Sequence, residues 1–141
     1  MSAEKNKQLL ERYVAEVWDN GNLDALRDFL AADYRRHVSP TLPPLGLDEQ
    51  TQRLAGFRSA FPDIDLRVEE VFAEGDRIAF RSTITGTHRG ELAGLPPTGR
   101  QITVGLVDVI RIEDDRFAEQ WGGPNMADLY RQLGASFHLD D

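Results

Sequence analysis

The spacing of apolar residues divides the chain into a helical front part and a strand-rich back part. From Ala3 to Asp19, apolar residues recur every three or four positions, which predicts an amphipathic helix that packs on a core through one face. This stripe consists of Leu9, Leu10, Tyr13, Val14, Val17 and Trp18. A short second helix is predicted from Leu23 to Leu30, and a third from about Leu47 to Ala60. The front part is therefore predicted to be mainly helical.

Glycine and proline mark the ends of these helices. Gly21 ends the first one, because glycine readily adopts the left-handed conformation found just after helices. Tyr34–Val38 is predicted to form one brief extended stretch. Three prolines in Ser39–Gly46 predict a loop, and Pro62 ends the third helix.

After Pro62 the apolar residues alternate with polar ones, which is typical of half-buried β-strands. The predicted strands lie around Ile64–Val68, Ile78–Ile84, Gln101–Ile112 and Arg116 to about Gly122, and a last helix runs from Met126 to Leu133. Helices followed by a meander of antiparallel strands predict an α+β fold, with one domain over residues 1–141. Long antiparallel strands tend to curl around such helices, so we expect a pocket between them.

Composition and charge narrow the class of partner. The net charge is −8, which disfavours nucleic acid and anionic membrane surfaces as partners. The chain has no cysteine, and it contains neither an apolar signal core at Met1–Asn6 nor an apolar run of the ~20 residues that span a membrane. We therefore expect a cytoplasmic protein that binds a hydrophobic small molecule.

Asp108 is the strongest candidate for a catalytic residue. In the predicted strand Gln101–Ile112, alternate side chains face the same side of the sheet. Asp108 falls on the side that is otherwise apolar, with Ile102, Val104, Leu106, Ile110 and Ile112. A carboxyl group on a buried face needs a partner or acquires a raised pKa, and a general acid or base near neutral pH requires such a group. The alternative is a structural aspartate paired with an arginine or a backbone N–H group.

The other candidates are less specific. His37 and His88 lie where strands meet loops, so either is a candidate proton carrier or a surface or capping histidine. Trp121, at the end of the last strand, could form the wall of a pocket for a flat ligand or belong to the core. With His138 in the tail, the histidine spacing shows no metal-ligand pattern, and neither a phosphate loop nor a nucleophile elbow is present. We expect no metal and no cofactor.

Several short phrases resemble the SnoaL-like polyketide cyclase family in the family's own order. They are Ala60-Phe61-Pro62-Asp63, Gly86-Thr87-His88-x-Gly90, Gly94-x-x-Pro97-Thr98-Gly99-Arg100, Glu119-x-Trp121 and Gln132-Leu133-Gly134. The resemblance implies the cone-shaped fold of nuclear transport factor 2 and ketosteroid isomerase, in which helices pack into a strongly curved antiparallel sheet. It also implies a homodimer. Family members close the last ring of aromatic polyketides by a cofactor-free intramolecular aldol condensation.

The chain departs from the cyclase pattern at one place. In the cyclases the key carboxylate lies within a few residues after the strand tryptophan, whereas Trp121 is followed by Gly122, Gly123, Pro124 and Asn125. Asn125 can hold a carbonyl group or a water molecule, but an amide cannot serve as a base.

Three hypotheses follow from this combination. The first is a cofactor-independent enzyme acting on a polyketide-like substrate, in which Asp108 handles the proton. The second is cofactor-free oxygenation or epoxide hydration, in which Asp108 and Asn125 orient water or an oxygen intermediate. The third is a binding or partner-stabilising module without turnover. Residues expected to position the substrate are His37, His88, Trp121, Asn125, Arg81, Phe57, Phe61 and Tyr34.

Overall fold

The computed structural model describes residues 2–136 and residue 139, and it begins with the predicted amphipathic helix. Helix α1, Ala3–Tyr13, is capped by the Ser2 side chain, which accepts a hydrogen bond from the Lys5 backbone N–H at 3.0 Å. The helix then widens into a π-helical segment, Val14–Asp19. Wider turns of this kind occur often at functional sites. His138 lies outside the described residues.

The second predicted helix is shorter than expected, and the strand after it is longer. A 3₁₀ turn leads into α2, Leu26–Phe29, and Leu30 already has the extended backbone of strand β1, Leu30–His37. The prediction that Leu30 is helical was therefore wrong. The reason is tertiary, because β1 pairs in parallel with the last strand, which is distant in sequence.

The remaining elements complete an open α+β unit. They are α3 (Leu47–Ala60), β2 (Asp65–Glu74), β3 (Arg77–Thr87), β4 (Gln101–Glu113), β5 (Arg116–Pro124) and α4 (Met126–Gln132). The described strands form one sheet in the order β1-β5-β4-β3-β2, antiparallel throughout except for the β1–β5 pair. This confirms the α+β prediction. Within the described residues, no helix is both long enough and apolar enough to cross a membrane.

Strand β4 follows the predicted alternation along its whole length. The inward residues form part of the core, and Asp108 is among them with only 3% of its surface exposed. Val107, the neighbour of Asp108, is 59% exposed on the outer face. The parity argument that placed Asp108 on the buried face is therefore confirmed.

Strand β5 breaks its alternation at a bulge. Ile112 pairs with Phe117 whereas Arg111 pairs with Glu119, so Ala118 is an extra residue on β5. A bulge of this kind reverses the side-chain parity beyond it. As a result Gln120 is buried and Trp121 is only half-buried. Phe117 and Trp121 are four residues apart and would share a face of a regular strand, but the bulge places them on opposite faces.

Candidate active site

A cavity lies between the helices and the inner face of the sheet. The cavity has a volume of about 40 Å³, within about 670 Å³ of free space that includes open solvent. The apolar walls are formed by Tyr13, Val14, Trp18, Leu54, Phe57, Phe61, Ile64, Leu66, Phe80, Ile84, Ile102, Val104, Leu106, Pro124 and Leu129. Polar side chains are few in this lining, namely Arg36, Gln50, Arg53, Asp108 and Gln120. An apolar cavity with a few convergent polar groups is the usual form of a small-molecule site.

Asp108 is held at this cavity by side chains from two other strands. Gln120 Nε2 donates a hydrogen bond to Asp108 Oδ2 at 2.7 Å, and Arg36 Nη2 donates to the same oxygen at 3.3 Å. Arg36 Nη2 also donates to the Gly122 carbonyl oxygen at 3.2 Å, and the Tyr34 hydroxyl donates to Gln120 Oε1 at 2.6 Å. One carboxylate oxygen is thus fixed by a chain of buried hydrogen bonds.

The other carboxylate oxygen of Asp108 is not held by any hydrogen bond in the described structure. Asp108 Oδ1 is buried and has no hydrogen-bond partner among the described residues. Burial raises the pKa of Asp108 above its usual value of 3.8, and the nearby Arg36 guanidinium partly opposes this shift. A buried carboxylate with one oxygen fixed and the other unpaired has the form that a general base requires.

Arg53, on α3, brings a second guanidinium group to the cavity. Its Cζ atom lies 5.3 Å from the centre of the Phe57 ring, and its guanidinium has neither a hydrogen bond nor an ion pair within the part of the chain that is described. Burial, and next the Arg36 charge, lower the pKa of Arg53 to about 10. Arg53 therefore still carries its charge at neutral pH.

Phe57, Phe61 and Tyr34 lie at or next to the cavity. Phe57 and Phe61 line it. Tyr34 is fully buried, does not line the cavity and reaches Asp108 only through Gln120. Burial raises the pKa of Tyr34 above its ordinary value, so its hydroxyl stays protonated as a donor.

His37 and Trp121 lie together on the outer face of the sheet. Their rings are stacked with centroids 5.3 Å apart, and His37 Nε2 lies 2.6 Å from Glu119 Oε2. Arg77 lies over the Trp121 ring from the same side. Neither residue lines the cavity: Trp121 is turned outward by the bulge in β5, and His37 by the alternation of β1, in which Arg36 faces inward.

Three further candidates also lie away from the cavity lining. His88 is fully buried behind Phe61, with ring centroids 5.5 Å apart, and its Nδ1 accepts a hydrogen bond from the Thr98 backbone N–H. Asn125 caps α4 by accepting from the Asp128 backbone N–H. Arg81 is on the outer face, where its Nε donates to Glu70 at 3.0 Å.

Sequence reasoning missed Arg36, Gln120, Arg53 and Gln50. Arg36 has the parity of the buried Tyr34 in β1, and this signal could have been read if the extended stretch had been treated as a sheet strand. The side chain of Gln120 points inward only because of the bulge, and no local sequence pattern predicts that bulge.

Among the described residues, no group of three or more His, Asp or Glu side chains is arranged to hold a metal ion.

The structure thus places a buried carboxylate at the polar end of an apolar cavity, between the helices and the sheet of an α+β fold. The chain belongs to the SnoaL-like polyketide cyclase family, whose sequence profile matches residues 8–133. This confirms both the family resemblance and the cone-shaped fold.

Named relatives and solved structures agree with this assignment. The chain is 26% identical over 129 residues to aklanonic acid methyl ester cyclase DnrD of Streptomyces peucetius, covering 89% of this chain and 88% of the relative. It is 26% identical over 133 residues to nogalonic acid methyl ester cyclase of Streptomyces nogalater, covering 91% and 97%. The match to cyclases across most of their length makes the chain an enzyme of the cyclase type.

Two solved structures share the fold at higher identity. AclR of Streptomyces galilaeus, a proposed hydroxylase, is 30% identical with a TM-score of 0.87, covering 99% of this chain and 87% of AclR. TsrD of Streptomyces laurentii is also 30% identical, with a TM-score of 0.84 and coverage of 96% and 99%.

Proposed function

We propose that this enzyme is a cofactor-independent cyclase of a hydrophobic, polyketide-like ester, with Asp108 as its general base. The observation that carries the proposal is the unpartnered Asp108 Oδ1 at the polar end of an apolar cavity. The named cyclase relatives support the reaction class, and the apolar walls support a hydrophobic substrate.

The proposed step uses the two carboxylate oxygens differently. Asp108 Oδ1 takes a proton from a carbon next to a carbonyl group, and the electron pair of the broken C–H bond moves into an enolate. The enolate carbon then bonds to a second carbonyl carbon of the same molecule, and the resulting alkoxide takes the proton back from Asp108. Gln120 and Arg36 hold Oδ2 throughout, so Oδ1 keeps its direction.

The size of the cavity bears on how a substrate enters. Ligand pockets usually have volumes of roughly 300–1,000 Å³, whereas the cavity here has a volume of about 40 Å³. The partly exposed lining residues Val14, Trp18, Arg53, Phe57 and Pro124 form the mouth. A polycyclic substrate therefore has to occupy the open part and displace side chains at this mouth.

The test of the proposed function is the substitution Asp108→Asn, assayed with the methyl esters of aklanonic and nogalonic acid as trial substrates. We expect kcat to fall by about 10²–10⁴-fold with ligand affinity retained, because the amide keeps the shape but cannot accept the proton. Asp65→Asn, at an exposed position on β2, is the matched control. Full turnover by Asp108→Asn would rule out Asp108 as the base.

The mass of the product separates this function from the oxygenation hypothesis. The ring closure described above is an aldol addition without loss of water, so the cyclised product is an isomer with the mass of the substrate. Hydroxylation adds an oxygen atom, and a product heavier by that mass would favour the activity proposed for AclR. Ligand binding without any product would favour the non-catalytic module.

We also propose that the enzyme is a homodimer joined through the outer face of its sheet. A row of apolar and aromatic residues crosses all described strands in register, in the order His37, Trp121, Val109, Ala79 and Phe72. Phe72 is 63% exposed, which is unusual for such a large apolar side chain. Both charge signs flank the row, with Arg81 paired to Glu70 and Arg111 to Glu119. Two copies related by a two-fold axis would match these patches.

Light scattering on the intact chain tests the dimer. Val109→Glu places a charge in the middle of the row, so we expect it to convert a dimer into a monomer. The control is Thr103→Glu, which lies on the same face of β4 but outside the row. A monomeric parent protein would contradict the proposal.

The acidic, cysteine-free composition supports a cytoplasmic location, which cell fractionation tests.

A further inference from the structure

The polar end of the cavity contains two guanidinium groups and one carboxylate. Asp108 is paired with Arg36 at 3.3 Å, and this pair balances its own charge. Arg53 adds a second positive charge. It takes part in no ion pair within residues 2–136, and the carboxylate that acts on it electrostatically, Asp108, is already paired with Arg36. With Asp108 ionised, the site therefore carries one excess positive charge.

The two guanidinium groups converge on one point. A Cβ atom at Gly123 would lie 3.3 Å from Arg36 Nη2 and 3.5 Å from Arg53 Nη2. Gly123 has a φ of +147°, a conformation that side chains rarely adopt, so the backbone here favours glycine. The space between the two Nη2 atoms is thus left open by the lack of a side chain, and it lies next to Asp108 on the neighbouring strand.

An unbalanced cation at a cavity costs free energy unless a ligand compensates for it. Burial and the Arg36 charge lower the pKa of Arg53 without neutralising it at pH 7. Packing over Phe57 supplies part of the compensation, since a guanidinium on an aromatic face is attracted to it. The guanidinium N–H donors themselves have no acceptor among the described residues, and an oxygen anion would provide one.

We propose that Arg53 and Arg36 together form an oxyanion site for the enolate oxygen that forms when Asp108 removes the substrate proton. This inference rests on the proposed function and names the residues that stabilise its enolate. When the C–H bond next to the carbonyl group breaks, the proton goes to Asp108 Oδ1 and the negative charge to the carbonyl oxygen. That oxygen accepts a hydrogen bond from Arg53 Nη2. Arg36 contributes its positive charge beside it, while its own Nη2 keeps its hydrogen bonds to Asp108 Oδ2 and the Gly122 carbonyl oxygen.

A binding measurement tests the site without requiring turnover. The probe is benzoylacetone, an aromatic 1,3-diketone whose enolate is followed by its ultraviolet absorbance. Bound to the parent enzyme, the probe should ionise at a pH lower by at least about one unit, which corresponds to a tenfold preference for the enolate. Benzylacetone, which lacks the acidic C–H group, serves as the neutral comparison.

Two substitutions separate charge from geometry. Arg53→Met removes the charge and keeps the apolar stem, so the shift in the ionisation of benzoylacetone should largely vanish while the affinity for benzylacetone is unchanged. Arg53→Lys keeps the charge but not the planar fork, and should retain part of the shift. The matched control is Arg12→Met on the exposed side of α1, which should preserve the whole shift.

A purely structural role of Arg53 predicts the opposite result. In that case Arg53→Met would lower the denaturation midpoint and leave enolate binding unchanged, and this outcome would overturn the proposal. So would a parent enzyme that shows no preference for the enolate. Kinetics with the ester substrates add a second readout, since losing an oxyanion donor should lower kcat by about 10²-fold and change KM little. Failure of the proposed function would show instead as full turnover by Asp108→Asn, whatever the probe does.

Discussion

Gly122 lies directly opposite Asp108 in the β4–β5 pair, and a Cβ atom at Gly122 would lie 2.6 Å from Asp108 Oδ1. The free carboxylate oxygen therefore has its space only because position 122 has no side chain. In the cyclases that the chain resembles, an acid is expected shortly after the strand tryptophan. In this chain the carboxylate of Asp108 lies on the adjacent strand, opposite the first residue after Trp121. The two positions cannot both carry a side chain without a shift of the backbone.

The first prediction concerns this close approach. Gly122→Ala would bring the new methyl group into overlap with the Val107 carbonyl oxygen and into contact with Asp108 Oδ1, at a φ of +103°. We expect the free energy of unfolding to fall by about 2 kcal/mol or more, and kcat to fall as the carboxylate is displaced. Chemical denaturation and steady-state kinetics measure the two effects.

Gly75→Ala is the matched control for Gly122→Ala. Gly75 also has a positive φ, +60°, but no described atom lies within 4 Å of the Cβ position. Its substitution should cost about 1 kcal/mol through backbone strain alone, with kcat unchanged. If both substitutions lowered the free energy of unfolding equally, the contact with Asp108 would not contribute to the loss of stability at Gly122.

The second prediction is the pH dependence of activity. Because burial raises the pKa of Asp108 above 3.8, and because only the ionised carboxylate accepts a proton, kcat/KM should fall on acidification with an apparent pKa above that value. A pH–rate profile of the parent enzyme measures it. An acid limb at or below 3.8 would contradict a desolvated base.

The same shift predicts how stability depends on pH. Between 3.8 and the higher pKa of folded Asp108, the folded state holds a proton that the unfolded chain has released. The contribution of Asp108 to stability is therefore fully present below pH 3.8 and is lost as the pH rises through the folded pKa. In denaturation series, the free energy of unfolding of the parent minus that of Asp108→Asn should decrease over this window. A difference independent of pH would show that Asp108 titrates alike in both states.

The third prediction separates positioning of the base from the base itself. Gln120→Met removes the hydrogen bond that lowers the pKa of Asp108, so the acid limb of kcat/KM should move to higher pH. We expect kcat to fall by up to about 10²-fold because Oδ1 loses its fixed direction. Tyr34→Phe keeps Gln120 and removes only its partner hydroxyl, so it should give the same shift to a smaller extent. An unchanged pH profile in both variants would show that the network does not act on Asp108.

The fourth prediction concerns the outer face. His37 is hydrogen-bonded to Glu119 on the side of the sheet opposite the cavity, so His37→Ala should leave kcat unchanged. It should also raise the pKa of Glu119, because the hydrogen bond from His37 is the main cause of that group's lowered pKa. Kinetics and NMR titration of the carboxyl group measure the two results. A large loss of kcat would return His37 to the list of catalytic candidates.

Local pattern by itself determined much of this protein. The helix Leu47–Ala60 and the alternation in β4 were predicted at nearly their observed bounds, because side-chain periodicity follows directly from backbone geometry. For the same reason the sequence placed Asp108 on the buried face. The short motifs that resemble the SnoaL-like family then predicted the cone-shaped fold and an enzyme of the cyclase type.

Only the tertiary structure decided what surrounds Asp108. Arg36 and Gln120 reach it from separate strands, and Gln120 does so because the extra residue Ala118 reverses the parity of β5. The same bulge turns Trp121 to the outer face, where it stacks on His37. Register shifts and pairings between strands distant in sequence depend on the packing of the whole sheet, and no local pattern records them.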